Sequence, residues 1–239
     1  MFTFPFTNFA VNLFTNNLSS QFDGINERID LTDDVSLRIT NNLSFFAWIK
    51  TTSASNICVA SKYNTSVNNR GWVCYLSSGR LHVTVSTDGT RANSREYETT
   101  TTFNDGTWHH IGFTYASGVL KLYVDAVEQP YNIIYDVGVS INPANGDPVR
   151  IGSYNTTNYQ FFGYIDELAI WDTAVLSQSQ IDYIYNDGTP TSMTPVGANL
   201  VSHYRMGDGD NATTLFDNKG SNDGTLVNMN ASNYVADVP

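Results

Sequence analysis

Positive charge is scarce in this sequence. Only 12 of its 239 residues are Lys or Arg, against 23 Asp and Glu, and the formal net charge is −11. A surface of that sign repels a phosphate backbone, so nucleic acid is excluded as an expected partner. Charge of either sign is sparse, at 15% of residues. Asn and Thr together supply roughly a fifth of the chain, so the exterior must be polar through amides and hydroxyls. Two cysteines are too few for a disulfide framework or a closed zinc site. No apolar run reaches the ~18 residues of a membrane-spanning helix, and no membrane insertion is expected. Met1 to Ser20 holds no Lys or Arg, and Asn8, Asn12, Asn16 and Asn17 interrupt its apolar residues, so it does not read as a secretion signal. A Gly-x-Ser-x-Gly elbow, a phosphate loop and a dinucleotide fingerprint are all missing. What the chain does have is apolar material, 41% hydrophobic and 13% aromatic, enough to offset the entropy of ordering. Its length suits one large all-β domain or two small ones.

Short segments of alternating apolar residues, rich in β-branched and aromatic types, predict strands near 43–51, 56–62, 71–77, 80–86, 108–115, 119–125, 148–153 and 162–171. Asp-Gly-Thr recurs at 88–90, 105–107, 187–189 and 223–225, where it supplies turn residues rather than a repeat. One helix is predicted near 178–186. Ser177 and Gln180 have capping-box spacing, Ile181, Ile184 and Tyr185 share a face, and Asn186-Asp187-Gly188 ends the run. It should lie against the sheet edge. A Thr, Pro and Gly connector over 189–197 precedes a further strand at 200–206 and a loop-rich tail. So many strands with one short helix cannot form βαβ units, and an antiparallel two-sheet sandwich follows.

Phe2, Phe4, Phe6 and Phe9 make an aromatic N-terminal arm over 1–19 whose apolar surface must dock, on its own sandwich or as a strand added to a neighbour. Cys58 and Cys74 flank a hairpin centred near 66. They could meet as a disulfide or stay as two buried thiols. Trp72, Tyr131, Tyr135, Tyr154 and Tyr159 fall in loops or at strand ends and are candidate platforms for a sugar ring. His109 and His110 are neighbours on a strand, point apart and cannot chelate one ion together.

Six segments then fall into register: Phe22-Asp23-Gly24, Leu43 to Ile49, Trp108 to Tyr115, Leu120 to Asp125, Phe162 to Leu168, and Leu176-Ser177. Their order and wording resemble the laminin G-like jelly rolls of the concanavalin A-like lectin/glucanase superfamily over residues 20–188. The resemblance implies one concave and one convex sheet. The text of a strand that usually precedes Phe22-Asp23-Gly24 stands instead at Leu200 to Gly209. That permutation predicts a strand returning beside Phe22 or swapping into a neighbour. The tail of 189–239 resembles those of phage-encoded jelly rolls.

The resemblance also implies a structural Ca²⁺, with Asp166 and Asp23 as its ligands. Its relatives include glucanases, which carry acids on alternate positions of one strand as Glu-x-Asp-x-x-Glu. That pattern is absent here. Glu96 and Glu98 alternate, but in a segment without core apolars that reads as a solvated edge. Asp166 and Glu167 are adjacent and should face opposite sides. These readings converge on a non-catalytic binding or structural module. It is expected on a phage virion surface as a decoration or fibre-associated protein, released by lysis, oligomeric, bound to other virion proteins and able to recognise glycans. The competing expectation is a carbohydrate-active enzyme or its accessory domain.

Overall fold

The computed structural model describes residues 14–239, which form two antiparallel sheets packed face to face. In chain order the strands are Ser19–Asp23 (β1), Arg28–Leu31 (β2), Leu43–Lys50 (β3), Ile57–Asn64 (β4), Asn69–Ser77 (β5) and Arg80–Gly89 (β6). Ser94–Thr99 (β7), Trp108–Ala116 (β8), Val119–Val124 (β9), Val127–Glu128 (β10), Tyr131–Asp136 (β11), Arg150–Ile151 (β12) and Phe162–Asp172 (β13) follow. After the helix Gln178–Tyr185 (α1) come Leu200–Tyr204 (β14), Thr214–Leu215 (β15), Gly224–Val227 (β16) and Tyr234–Val235 (β17). One sheet runs β10-β9-β8-β3-β13-β1-β17 with β14 also on β13, and the other runs β11-β7-β6-β5-β4-β12-β2-β16-β15.

Alternation along each strand decides what lies inside. On β3, Phe45, Ala47 and Ile49 enter the inter-sheet core with Phe113, Trp72 and Val83, while Phe46 and Trp48 point to the outer side. That outer side is covered. Ile181 and Ile184 of α1 pack there with Phe46, Trp171, Met193, Val196 and Leu200, and Trp48 stacks on Tyr185 with centroids 5.7 Å apart. The helix therefore lies over the central strands β3 and β13, not at the sheet edge. The apolar outward residues of those two strands are what draw it inward. Its start is fixed as the sequence implies, with the Gln180 side chain accepting from the Ser177 N–H at 2.9 Å. Asn186 ends it in a left-handed conformation at φ 46°. Covering one sheet leaves the outer face of the nine-stranded sheet as the open one.

The C-terminal strand takes an unexpected position. β14 pairs with β13 through Leu168–Trp171, whereas β1 pairs with β13 through Phe162–Ile165. The two run end to end along one side of β13, in line rather than side by side, and Ser20 Oγ donates to the Met206 carbonyl at 3.0 Å across the junction. The tail continues into the same sandwich: β16 pairs with β2, and β17 with β1. At the junction β13 carries a bulge between Asp166 and Ala169, with Glu167 at φ 44°. The extra residue puts Asp166 and Glu167 on the same outer side, correcting the expectation that neighbours point apart. Both are fully buried. Glu167 holds His203 at 2.6 Å and Arg205 at 3.0 Å, and Asp166 accepts from Asn16 at 2.7 Å.

Candidate functional site

The open sheet face is built by the outward positions of β4 to β7. Register brings Tyr75 opposite His82, His82 opposite Glu98, and Thr84 opposite Glu96. Tyr63 joins them from β4. Two more tyrosines arrive from the loop between β12 and β13, which is tied to β4 by the Gly152 N–H to the Val59 carbonyl and the Cys58 N–H to the Tyr159 carbonyl. The result is a continuous row of rings. Centroids are 5.2 Å apart for Tyr63 and Tyr154, 4.9 Å for Tyr154 and Tyr159, 5.7 Å for Tyr159 and Tyr75, and 4.8 Å for Tyr75 and His82. Such rings supply apolar area with little conformational entropy to lose.

Charges flank the row in compensated pairs. Glu96 accepts from the Tyr75 hydroxyl at 3.0 Å and faces Arg91 at 3.2 Å; Glu98 faces His82 at 3.0 Å and Arg80 at 3.5 Å. Burial pushes the Tyr75 and Tyr154 phenols far above their ordinary range and lowers His82 below the usual imidazole value. Each of these shifts favours the uncharged form of its ring. Arg70 lies over the Tyr63 ring at 5.9 Å and Arg91 over Tyr135 at 5.1 Å. Neutral rings bordered by acceptors and donors can stack on a flat apolar face and hydrogen-bond the polar groups around its rim.

Of the residues singled out from sequence, Tyr154 and Tyr159 meet in this row, and Tyr135 sits at its β11 border. Tyr131 instead stacks on Tyr97 at 4.5 Å, off the row. Trp72 does not belong to the site: only 1% of it is exposed, and its ring packs on Phe45 inside the core. Trp72 lies opposite Lys62 and faces inward with Cys74 and Leu76, by the alternation of β5. Glu96 and Glu98 are corrected as well, since β7 is a paired interior strand and only 4% of Glu96 is exposed. Tyr63, Tyr75, His82 and Arg91 went unrecognised in the sequence. Their signal was the parity of the β5–β6 hairpin, which sends Tyr75 and His82 to the side away from Leu76 and Val83.

Cys58 and Cys74 carry free thiols and belong to different clusters, Cys58 under the tyrosine row and Cys74 in the inter-sheet core. A bulge in β4 pairs Cys58 with Tyr75 and Ala60 with Cys74, so the expected hairpin symmetry fails. Asp23 and Asp166 do not converge. Asp23 pairs with Phe162, four residues from Asp166 along β13, or roughly 13 Å at the usual rise per residue. Asp166 is already engaged by Asn16 and by the Glu167 N–H, so the two do not form a shared calcium site. Among the described residues no group of three or more His, Cys, Asp or Glu is placed to hold a metal ion. His109 is bonded to Asp125 at 2.8 Å, while His110 is packed between Phe46 and Trp48. Phe2, Phe4, Phe6 and Phe9 lie outside the described residues.

A laminin G family model, described as the concanavalin A-like lectin/glucanases superfamily, matches residues 23–182. No curated protein matches the chain. Among solved structures, a Bacteroides ovatus protein provisionally described as carbohydrate-binding superposes with a TM-score of 0.67 at 16% identity over 90% of this chain. The chain spans 59% of that protein's length. A heptameric SAP-like pentraxin from Limulus polyphemus gives a TM-score of 0.55 at 15% identity, covering 72% of this chain and 83% of the pentraxin. The LG1-3 region of the laminin alpha2 chain gives 0.52 at 14% identity, covering 65% of this chain and 31% of that region. At such identities the likeness establishes the fold alone. The family match, which spans more than half of the sequence, establishes kinship: the chain belongs to the concanavalin A-like lectin/glucanase superfamily.

Proposed function

We propose that the protein is a non-catalytic glycan-binding module whose binding surface is the open face of the nine-stranded sheet. The observation that carries this reading is the unbroken row Tyr63, Tyr154, Tyr159, Tyr75 and His82, in which Tyr154, Tyr159 and Tyr75 are partly exposed and the buried Tyr63 and His82 support them, bordered by Glu98, Arg80 and Arg91. Sugars offer flat apolar faces edged by hydroxyls, which is the complement of such a surface. The description of the Bacteroides ovatus protein points the same way. Glycan-array binding followed by calorimetric titration of the best hit tests the reading. The double variant Tyr154→Ala with Tyr159→Ala should bind about tenfold more weakly or worse, at ~0.5–1.5 kcal/mol per stacked ring removed. Unchanged affinity would remove the row from the account.

A second reading is favoured by one observation, the alternation of Glu96 and Glu98 on the open face, which is how a glycosidase would present acids. Against it, Glu96 already holds Tyr75 and Arg91, and Glu98 holds His82 and Arg80, which leaves neither carboxyl free to protonate a leaving oxygen. Polysaccharides incubated with the protein should yield no new reducing ends, and sustained release would establish catalysis instead. For its setting we propose a virion surface, where the acidic, amide-rich exterior would keep particles soluble and the aromatic arm, Phe2 to Phe9, would join copies or lattice proteins. Light scattering should then show an oligomer that removal of residues 1–13 converts to a monomer. An unchanged mass would contradict this role for the arm.

A further inference from the structure

At the Tyr63 end of the row, a pocket of about 350 Å³ opens between the turn joining β4 to β5, Asn64 to Ser66, and the loop Asn155 to Asn158, with Arg150 of β12 in its wall. The volume falls in the roughly 300–1,000 Å³ range of small-molecule sites. β12 builds the pocket by parity. Ile151 enters the inter-sheet core, so Arg150 turns outward, beside Ser61 of β4 and Asp30 of β2. Local bonds hold the walls in place. The Asn155 side-chain oxygen accepts from the Thr157 and Asn158 N–H groups at 2.9 Å, that of Asn64 accepts from the Ser66 N–H at 3.0 Å, and Ser61 Oγ donates to the Ser153 carbonyl at 3.0 Å.

The Arg150 guanidinium sets this pocket apart. Its side chain is only 11% exposed, and among the described residues none of its nitrogens has a hydrogen-bond partner. The carboxylate beside it, Asp30, stands 3.6 Å from Nε and is taken by Arg28, whose own Nε donates to its two oxygens at 3.0 and 3.2 Å. Two guanidiniums thus share one carboxylate. A positive charge is left over, in a chain of net charge −11. Nε is sealed from solvent but the two terminal nitrogens are not, and Arg150 lines a pocket whose described walls hold no Asp or Glu. A guanidinium so nearly buried without a partner is costly, and it marks a place where something else completes the bonding.

We infer that this pocket seats a single carboxylate group of a small ligand, bound through the terminal edge of the Arg150 fork. That edge offers two parallel N–H donors, which match the two oxygens of a planar carboxylate. Thr65, Ser66 and Thr156 line the same pocket, and their hydroxyls can hydrogen-bond the rest of the ligand. One surplus positive charge suits a monoanion, whereas a phosphate dianion would bring a second negative charge to an already acidic protein. Sugar acids and small free organic acids share this chemistry. The site goes beyond the glycan-binding reading and does not depend on it, since the row acts by stacking and the pocket by charge.

NMR titration of the isotope-labelled protein would use acetate, methyl glucuronide, methyl glucoside as its uncharged counterpart, and sulfate. The proteins would be the wild type, Arg150→Met, Arg150→Lys, Ser66→Trp and Tyr75→Ala. Ser66 is exposed, so its replacement narrows the pocket mouth from outside and keeps the test valid if Arg150→Met folds poorly. Acetate and the glucuronide should shift the amide signals of 64–66 and 155–158, and the glucoside should bind about tenfold more weakly than the glucuronide or worse. Arg150→Met should weaken acetate by about tenfold or more, and Arg150→Lys, which keeps the charge but loses the fork, should stay about threefold weaker than the wild type or worse. Ser66→Trp should weaken the glucuronide by about fivefold or more, and Tyr75→Ala should leave both carboxylates within about twofold. A glucuronide about tenfold tighter than acetate assigns the pocket to sugar acids, and equal affinities assign it to free organic acids. The carboxylate site is refuted if neither carboxylate shifts those amides, if the glucoside binds as tightly as the glucuronide, if sulfate binds more tightly than acetate, or if binding survives both Arg150→Met and Ser66→Trp. None of these results bears on stacking along Tyr154, Tyr159 and Tyr75.

Discussion

His110 shows how strongly position can override residue type. It is 1% exposed, stacked on Phe46 at 5.3 Å and beside Trp48 at 5.0 Å, and neither ring nitrogen has a partner. Burial lowers its pKa to about 3, against an ordinary 6.5. The folded state therefore resists a proton that the unfolded chain accepts. Its contribution to stability is complete above pH 6.5 and is lost progressively as pH falls from 6.5 toward 3. His82 is shifted in the same direction by burial, whereas His109 is raised, first by its bond to Asp125. The His109 contribution runs the other way, present below 6.5 and lost as pH rises through its elevated value. Melting temperature measured from pH 7 down to pH 4 should fall less steeply in His110→Phe than in the wild type; equal slopes would contradict the assignment. Lys62 gives a second test at this scale. Buried inside the sandwich, it bonds Asp33 at 2.6 Å and the Asp147 carbonyl at 2.5 Å. Burial raises the Asp33 pKa, but bonds from Arg38 and Lys62 outweigh it and bring the carboxyl to about 2. Lys62→Ala should destabilise by about 3 kcal/mol in urea titration, because it removes a buried side chain together with one of the two cations that hold the partly exposed Asp33 carboxylate. A loss below about 0.5 kcal/mol would show the pair to be energetically idle.

Bulges govern the elements. In β4 one separates Cys58 from Cys74, and in β13 another gathers Asp166 and Glu167 on one side. Sequence parity cannot reveal a bulge, because one inserted residue inverts every side chain beyond it. This is why the strands and helix were legible from alternation and capping while the roles of Cys58, Cys74 and Glu167 were not; Trp72 was misplaced although it keeps the parity of Cys74 and Leu76. β7 was missed for a related reason. Its outward residues are charged, Glu96 and Glu98, and its inward ones include Tyr97 and Arg95 rather than aliphatics, so no apolar alternation marks it. β14 is held to the rest by Glu167 through His203 and Arg205. Glu167→Ala should cost about 3 kcal/mol and raise amide exchange first in 200–204. Exchange that rises uniformly over the whole domain would mean that this junction is no local latch.

For the whole molecule, the decisive asymmetry is that one sheet is covered and the other is open. Apolar outward residues on β3 and β13 recruit α1 and the segment that follows, whereas β5, β6 and β7 turn tyrosine, histidine and glutamate outward and are covered only in part, by the loop that carries Tyr154 and Tyr159. The sequence supported the sandwich and two of the five row residues. The others required the strand register, which brings Tyr63, Tyr75 and His82 alongside a loop more than 70 residues away. Because binding is expected to rest on stacking and neutral hydrogen bonds, affinity should change less than threefold between 50 and 500 mM salt, and a steep salt dependence would point to an acidic or basic ligand instead. The central claim is best tested by a crystal structure of the protein grown with the tightest-binding linear glycan. The account predicts an intact chain lying along Tyr154, Tyr159 and Tyr75; density for the sugar on another surface, or for cleaved fragments beside Glu96 and Glu98, would contradict it.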